Sequence, residues 1–333
     1  MGDVAMTVPV LRAMRRQYPG VRIVMLTRES FGPFFDGLDI ELFYGDFKRK
    51  HYGIGGIHRL YKELKEKYSF DIVIDLHNKL YSVLLRRLFA WGGTQVFTID
   101  KGRVEKKALM RRRNKAKVQL RTMVMRYADT FARAGYPVRL EWKLERAGRA
   151  VPEMAGEKQG SWIGLAPFAK HTGKILPWFT VRELVELTAR ELPGATVFIF
   201  GGGDTEKAQA RELENDFAPV VSVIGKLGLR QELDLISNLD VMISMDSSAM
   251  HMSSLVGVPV VSVWGATHRF AGFMGFGQQD ENAAETDLFC RPCSIYGNKP
   301  CYRHNYECLT ELTPGQVFEK VRAILEAQVP ITI

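Results

Sequence analysis

The stretch from residue 240 to residue 265 limits the possible folds of this 333-residue chain more than any other. Asp240 to Ser244 form a short run with β-branched residues, typical of a buried strand. Asp246 to Ser248 then supply side-chain oxygens that can cap the first N–H groups of a helix. Gly257 to Pro259 end that helix, and a second apolar run follows at 260–263. We therefore predict a strand, a helix and a strand, as in a parallel α/β sheet.

A helix that begins at the carboxyl edge of a parallel sheet is a natural anion site. Its first N–H groups have no partner within the helix, and its dipole favours negative charge. Asp246 and His251 add two titratable groups at this place. The same residues also fit a capped helix that carries an incidental histidine. The motif alone leaves both interpretations open.

The composition, 46% hydrophobic and 25% charged, is that of a soluble globular protein. A formal net charge of +9 favours an acidic partner such as nucleic acid, an anionic lipid or a phosphorylated glycan. No apolar run approaches the roughly 18–20 residues of a membrane span, and no signal peptide follows Met1. The four cysteines fall in one late segment, which fits a reducing cytoplasm.

Short apolar runs alternate with helical periodicity along the rest of the chain, which favours parallel sheets. We predict an N-terminal domain at 1–148, a linker at 149–160 that is part of a stretch rich in Ala, Gly, Pro, Glu and Lys, and a C-terminal domain at 161–333. The expected strands are Val21–Leu26, Ile40–Tyr44, Phe70–Leu76, Gln95–Ile99, Ser161–Leu165, Ala195–Phe200 and Val220–Ile224.

The start of the chain lacks the strand that such a domain needs. Gly2-Asp3 resembles the turn that follows a first strand, and Val4 to Met14 have the spacing of one helix, with Pro9 near its first turns. We expect either that the natural reading frame begins upstream or that the domain lacks its first strand.

Residues 101–126 are strongly basic, with eleven Lys and Arg against Glu105 alone. This segment is either a solvated surface or a clamp for an anionic acceptor or membrane. It lacks interleaved aromatic residues, so a base-stacking surface is not expected.

The cysteines form the pattern C-x2-C-x7-C-x6-C from Cys290 to Cys308. Structural zinc, disulfides and free thiols all remain open for them.

Several motifs, in their order along the chain, resemble glycosyltransferase family 9, the bacterial lipopolysaccharide heptosyltransferases. Their joint order and spacing extend over essentially the whole chain. Ser247 and Ser248 stand where Thr and Gly are common in that family, and Leu176 stands in place of a common Trp. The matching segments are Gly2-Asp3 with Pro9-Val-Leu-Arg12, Ala166-Pro167 with Lys174-Ile-Leu-Pro177, Asp246-Ser-Ser-Ala-Met-His251, Gly257-Val-Pro259, Gly265-Ala-Thr267 and Cys290-Arg-Pro-Cys293.

The resemblance implies a GT-B architecture, with two Rossmann-like domains whose parallel sheets face a cleft. It also implies an inverting transfer from a nucleotide-sugar, with no metal or other cofactor. Asp3 matches the proposed general base and Lys174 the lysine near the donor phosphates. The residues expected to bind the donor are Lys174, Gly202, Glu206, Asp246, Ser247, Ser248 and His251; those expected to bind the acceptor are Arg111, Arg112 and Arg113.

This chemistry agrees with the residues themselves. An acceptor hydroxyl that attacks an anomeric carbon needs a base, which a carboxylate can provide. The leaving diphosphate gains negative charge, and an ammonium with helix N–H groups can stabilise it.

We therefore expect a heptosyltransferase that uses ADP-heptose and a lipopolysaccharide core acceptor. It would be a cytoplasmic protein, peripheral at the inner membrane face, with no nucleic-acid partner. A nucleotide-sugar-binding protein, inactive because its first strand is lost, is the alternative. A zinc-stabilised nucleic-acid-binding protein is a third candidate.

Overall fold

The computed structural model describes residues 1–328, which form two compact units. The first unit contains Asp3–Arg103 and Arg121–Glu141. The second contains Val104–Leu120 and the chain from Trp142 onward. Most of the basic segment therefore groups with the later part of the chain. The predicted domain boundary within 149–160 stays a prediction.

Short strands and helices alternate along the described chain, as expected. The strands are β1 Val24–Thr27, β2 Glu41–Tyr44, β3 Ile72–Asp75, β4 Gln95–Thr98, β5 Trp162–Ala166, β6 Thr196–Ile199, β7 Val220–Ser222, β8 Val241–Met245, β9 Val260–Trp264 and β10 Ala283–Glu285. The helices are α1 Gly2–Ala5, α2 Val8–Gln17, α3 Gly53–Lys67, α4 Leu80–Trp91, α5 Arg103–Leu109, α6 Met123–Arg133, α7 Trp178–Glu191, α8 Asp204–Asp216, α9 Leu229–Ser237, α10 Ser248–Leu255, α11 Glu307–Thr310 and α12 Pro314–Gln328.

The first unit contains two parallel strand pairs, β1 with β2 and β3 with β4. Helices α3 and α4 bury an apolar face in its core, with Ile57 and Leu60 on one helix and Leu85 and Phe89 on the other. These residues recur at helical spacing, which is why the sequence pattern predicts both helices.

The N-terminal helix is broken, contrary to the prediction of one continuous helix. The chain leaves α1 after Ala5 and begins α2 at Val8. Thr7 donates its hydroxyl to the carbonyl of Val4 at 2.7 Å, which stabilises the break. Pro9 lies in the first turn of α2, where its missing N–H removes no helical hydrogen bond.

The second unit contains a six-stranded sheet in the order β10-β9-β8-β5-β6-β7, and every strand pair in it is parallel. All residues of β5, β8 and β9 are buried, which explains their continuous apolar runs. Leu184 of α7 and Val317 and Val321 of α12 belong to the same core. Because β6, β5 and β8 are neighbours and parallel, the loops that follow them lie at one edge.

Within residues 1–328, no helix has both the length and the apolar character needed to cross a membrane.

Candidate functional site

The loops after β5 and β8 bring a lysine and an aspartate together. Lys174 ends a short 3-10 turn, Thr172–Lys174, and Asp246 directly follows β8. The Lys174 ammonium lies 2.8 Å from Asp246 Oδ2 and donates to the Asp246 carbonyl at 3.1 Å. Their side chains are 15% and 7% exposed. The pair is therefore largely shielded from water. In such a place its two charges interact more strongly than they would on an open surface.

Close backbone packing holds Lys174 in this place. The carbonyl of Gly173 accepts a hydrogen bond from the N–H of Ala266 at 2.8 Å. Gly297 lies against the lysine stem, and a Cβ added there would fall 2.6 Å from Lys174 Cγ. Gly297 also has a φ of +73°, which other residues rarely adopt. The loops after β5 and β9, together with Gly297, thus limit the conformations open to Lys174.

The helix after Asp246 begins without a capping hydrogen bond from its N-cap side chain, which differs from the capped helix, one of the two interpretations that the sequence left open. Ser247 occupies the N-cap position of α10, but its side chain makes no capping hydrogen bond. Its hydroxyl instead lies 3.2 Å from that of Ser244. The first N–H groups of a helix have no partner within the helix, so an uncapped end can receive an anion. His251 lies one turn into α10 and is buried.

A glycine-rich loop follows β6 at the same edge. The N–H of Gly202 donates to Glu206 Oε2 at 2.7 Å, so the two residues expected to meet the nucleoside do lie together. Gly203 has a φ of +89° and is the N-cap residue of α8. A Cβ added to Gly201 would lie 2.7 Å from the ring of Phe168 and 2.8 Å from Glu206. Glycine is thus required where the loop packs closely.

Asp3 belongs to the first unit, where it lies exposed in α1. Tyr127 donates its hydroxyl to the Asp3 carbonyl at 3.3 Å. Burial lowers the pKa of Lys101, and the Asp3 carboxylate opposes that shift. Burial likewise lowers the pKa of His77, against the effects of Asp3 and Asp75. Lys101 and His77 thus lie close enough to Asp3 for their charges to interact, and sequence reasoning missed both. The acidic end of β3, just before His77, was the sequence feature that could have identified His77.

A buried arginine supports the loop after β9, and sequence reasoning missed this role too. Arg291, 1% exposed, donates to the carbonyls of Gly265 at 2.6 Å, Trp264 at 2.9 Å and Thr267 at 3.2 Å. It also donates to Glu285 at 3.0 Å. A buried guanidinium is stable only when such partners satisfy it. Arg291 therefore shapes the Gly265–Thr267 segment that contacts Gly173.

His268, just after that segment, should make the protein sensitive to acid. Burial lowers its pKa to about 4, although Glu285 opposes the shift. Below pH ~6.5 this histidine is protonated in the unfolded state but stays neutral in the folded state. The free energy of unfolding therefore falls as the pH drops toward 4, by at most about 1.4 kcal/mol per pH unit. His268→Gln should make this slope shallower in urea unfolding between pH 7.5 and 4.5. His58→Gln, at an exposed position, is the control. An unchanged slope in His268→Gln would contradict the assignment.

The four cysteines are free thiols. In the described part of the chain, no three or more His, Cys, Asp or Glu side chains are grouped so that they could hold a metal ion. Burial raises the pKa of the Cys308 thiol to about 12. Of the three possibilities left open by the sequence, the structure contains the free thiols.

Comparisons with known proteins show which family the chain resembles. The family model "Glycosyltransferase family 9 (heptosyltransferase)" matches residues 57–298. A Campylobacter jejuni lipooligosaccharide heptosyltransferase 2 is 26% identical over 132 residues, which cover 38% of this chain and 40% of that protein. The chain thus matches less than half the length of this relative. A Pseudomonas aeruginosa lipopolysaccharide heptosyltransferase 1 is 24% identical, covering 98% of this chain and 96% of that protein.

The fold resembles that of the solved E. coli heptosyltransferase WaaC with ADP. The TM-score is 0.66 at 19% identity, and the alignment covers 97% of each chain. This likeness confirms the expected α/β fold of the GT-B type. The family model extends over most of the chain, including the Lys174–Asp246 pair and α10. The chain belongs to glycosyltransferase family 9.

Proposed function

We propose that the protein transfers a heptose from a nucleotide-sugar to a lipopolysaccharide core acceptor, with inversion and without a metal. The observation that carries this proposal is the Lys174–Asp246 pair beside the uncapped start of α10. An ammonium and helix N–H groups at one sheet edge are the donors that a diphosphate needs. Membership of glycosyltransferase family 9 supports the reaction class.

The donor-binding residues would act on the leaving group. As the bond between the anomeric carbon and the diphosphate breaks, negative charge grows on the leaving oxygen. Lys174 and the N–H groups of Ser247 and Ser248 would stabilise this charge in a partly buried place, where electrostatic interactions are strong. Asp246 would position the ammonium, and His251 would orient the donor from the first turns of α10.

Asp3 would act on the acceptor. Its carboxylate would take the proton of the attacking hydroxyl as the new bond to the anomeric carbon forms. Attack from the side opposite the leaving diphosphate inverts that carbon. The exposed position of Asp3 in α1 leaves its side chain accessible to such an acceptor.

ADP-heptose is the donor that we propose. The E. coli structure with a similar fold contains ADP, and the relatives are named heptosyltransferases. Gly202 and Glu206 would meet the nucleoside, because their loop lies at the same sheet edge as Lys174. Arg111, Arg112 and Arg113, which are exposed, would meet an anionic acceptor at the cytoplasmic face of the inner membrane.

A thermal-shift panel of ADP, UDP and GDP in EDTA tests the donor assignment. Ligand that binds only the folded state stabilises it, by about 2.7 kcal/mol at 100 times its Kd. ADP should therefore raise the melting temperature by several degrees, more than UDP or GDP at equal concentration. AMP, which lacks the diphosphate, is the matched control. A larger shift with UDP or GDP would overturn ADP as the nucleotide, and no shift with any of them would contradict donor binding.

A further inference from the structure

A basic cavity lies in the later unit, between the segment 110–115 and the segment 290–302. We call it the cysteine pocket. It encloses about 120 Å³. Arg111, Arg112, Lys115 and Lys299 line it together with Cys290 and Cys293. All of these residues belong to the second unit, in the segment 104–120 or after residue 142.

The Arg and Lys side chains that line the cysteine pocket are all cationic, and its other lining residues are Met, Cys, Pro and Tyr. Among the described residues that line it, none is Asp or Glu. Four positive charges around one small cavity create a positive potential there, which attracts an anion. The composition of the lining therefore selects for a compact ligand with more than one negative charge.

Two of the four cations are held in place by uncharged partners. Lys115 donates to the carbonyl of Cys290 at 2.7 Å and to that of Pro292 at 2.9 Å. The guanidinium of Arg112 lies 4.3 Å from the centre of the Tyr302 ring, within the range of a cation–π interaction. Neither arrangement neutralises the charge. Burial also lowers the pKa of Lys115, a cost that a bound anion would offset.

We infer that the cysteine pocket binds a phosphate group, as a monoester or as inorganic phosphate. A phosphate dianion presents several strong acceptor oxygens, which suit guanidinium and ammonium donors arranged around a cavity. If the phosphate is carried by a sugar, it belongs to the glycolipid acceptor, and that part of the inference rests on the proposed function. Arg113 does not line the pocket, although it is adjacent to Arg112 in sequence. Arg111 and Arg112 therefore have a role that Arg113 does not share.

The two pocket cysteines provide a direct measurement. The protein is treated with iodoacetamide, and the alkylation rate of each cysteine is followed by peptide mass spectrometry. The probes are inorganic phosphate and glucosamine 6-phosphate, with sodium chloride at the same ionic strength as the reference. Phosphate should slow alkylation of Cys290 and Cys293, because it blocks access to both thiols. Cys301 does not line the pocket and is the internal control.

Arg112→Ala and Lys107→Ala are the matched variants, because Lys107 is an exposed cation of the same unit that does not line the pocket. Arg112→Ala should raise the phosphate concentration needed for protection by about tenfold, because it removes a charged donor. Lys107→Ala should leave that concentration unchanged. Lys299→Ala is a second pocket variant, and low reactivity of the buried Cys308 checks that each variant is folded.

The outcomes separate the sources of the phosphate. Protection by both probes supports a sugar-linked phosphate, and protection by inorganic phosphate alone supports the free ion. Equal effects of phosphate on Cys290, Cys293 and Cys301 would overturn the inference, as would equal losses in Arg112→Ala and Lys107→Ala. The thermal shift with ADP is measured separately, so failure of the donor assignment is distinguishable from failure of this pocket.

Discussion

Asp3→Asn is expected to lower kcat by about 100- to 10 000-fold, the usual contribution of a general base. The amide keeps the size of the side chain but cannot accept the proton of the acceptor hydroxyl. Asp3 lies in the first unit, whereas the Lys174–Asp246 pair lies in the second. The affinity for ADP should therefore stay close to that of the wild-type protein. Steady-state release of ADP from ADP-heptose, with a lipopolysaccharide core acceptor, measures kcat.

Asp71→Asn is the matched control, because Asp71 is also an exposed aspartate of the first unit. This variant should retain wild-type turnover. Near-normal kcat in Asp3→Asn would remove Asp3 from the mechanism. If wild-type protein binds ADP but releases none from ADP-heptose, the result favours a nucleotide-sugar-binding protein without transferase activity.

The parallel sheet of the second unit could be predicted in outline from the sequence. Buried parallel strands require continuous apolar runs, and 162–166, 196–199 and 241–245 show them clearly. The order of the strands does not follow from those runs. Only the structure places β5 between β6 and β8, which brings Lys174 beside Asp246.

The errors near the helix starts have a local physical cause. Ser and Asp before a helix can cap it, but their hydroxyls and carboxylates can also bond elsewhere. Here Ser247 lies near Ser244, and Asp246 pairs with Lys174. At the N-terminus, helical spacing continues from Val4 to Met14, but a side-chain bond from Thr7 accompanies a break in the helix.

The supporting roles of Arg291 and Lys115 could not be read from the sequence. Each depends on carbonyls that are distant along the chain or in loops without periodicity, such as Gly265 for Arg291 and Pro292 for Lys115. The motif C-R-P-C marks the segment as unusual, but it points to metal or disulfide chemistry. Only the contacts of Arg291 with distant backbone carbonyls show that the arginine of this motif supports the fold.

Lys174→Ala is expected to weaken ADP binding by about 100-fold or more. The substitution removes the ammonium that pairs with Asp246, and the unpaired Asp246 carboxylate would then repel the diphosphate. Lys174→Arg keeps the charge and should weaken binding less. Lys170→Ala, an exposed lysine in the same loop, should bind ADP as the wild-type protein does. Urea unfolding of each variant checks that the substitution has not unfolded the second unit.

Isothermal titration calorimetry of ADP, with EDTA present, tests the central claim most directly. We expect the wild-type protein to bind one ADP without a metal, and we expect AMP to bind much more weakly, because Lys174 and the start of α10 would hold the diphosphate. A folded Lys174→Ala variant that binds ADP with unchanged affinity, or a wild-type protein that binds AMP and ADP equally, would contradict it.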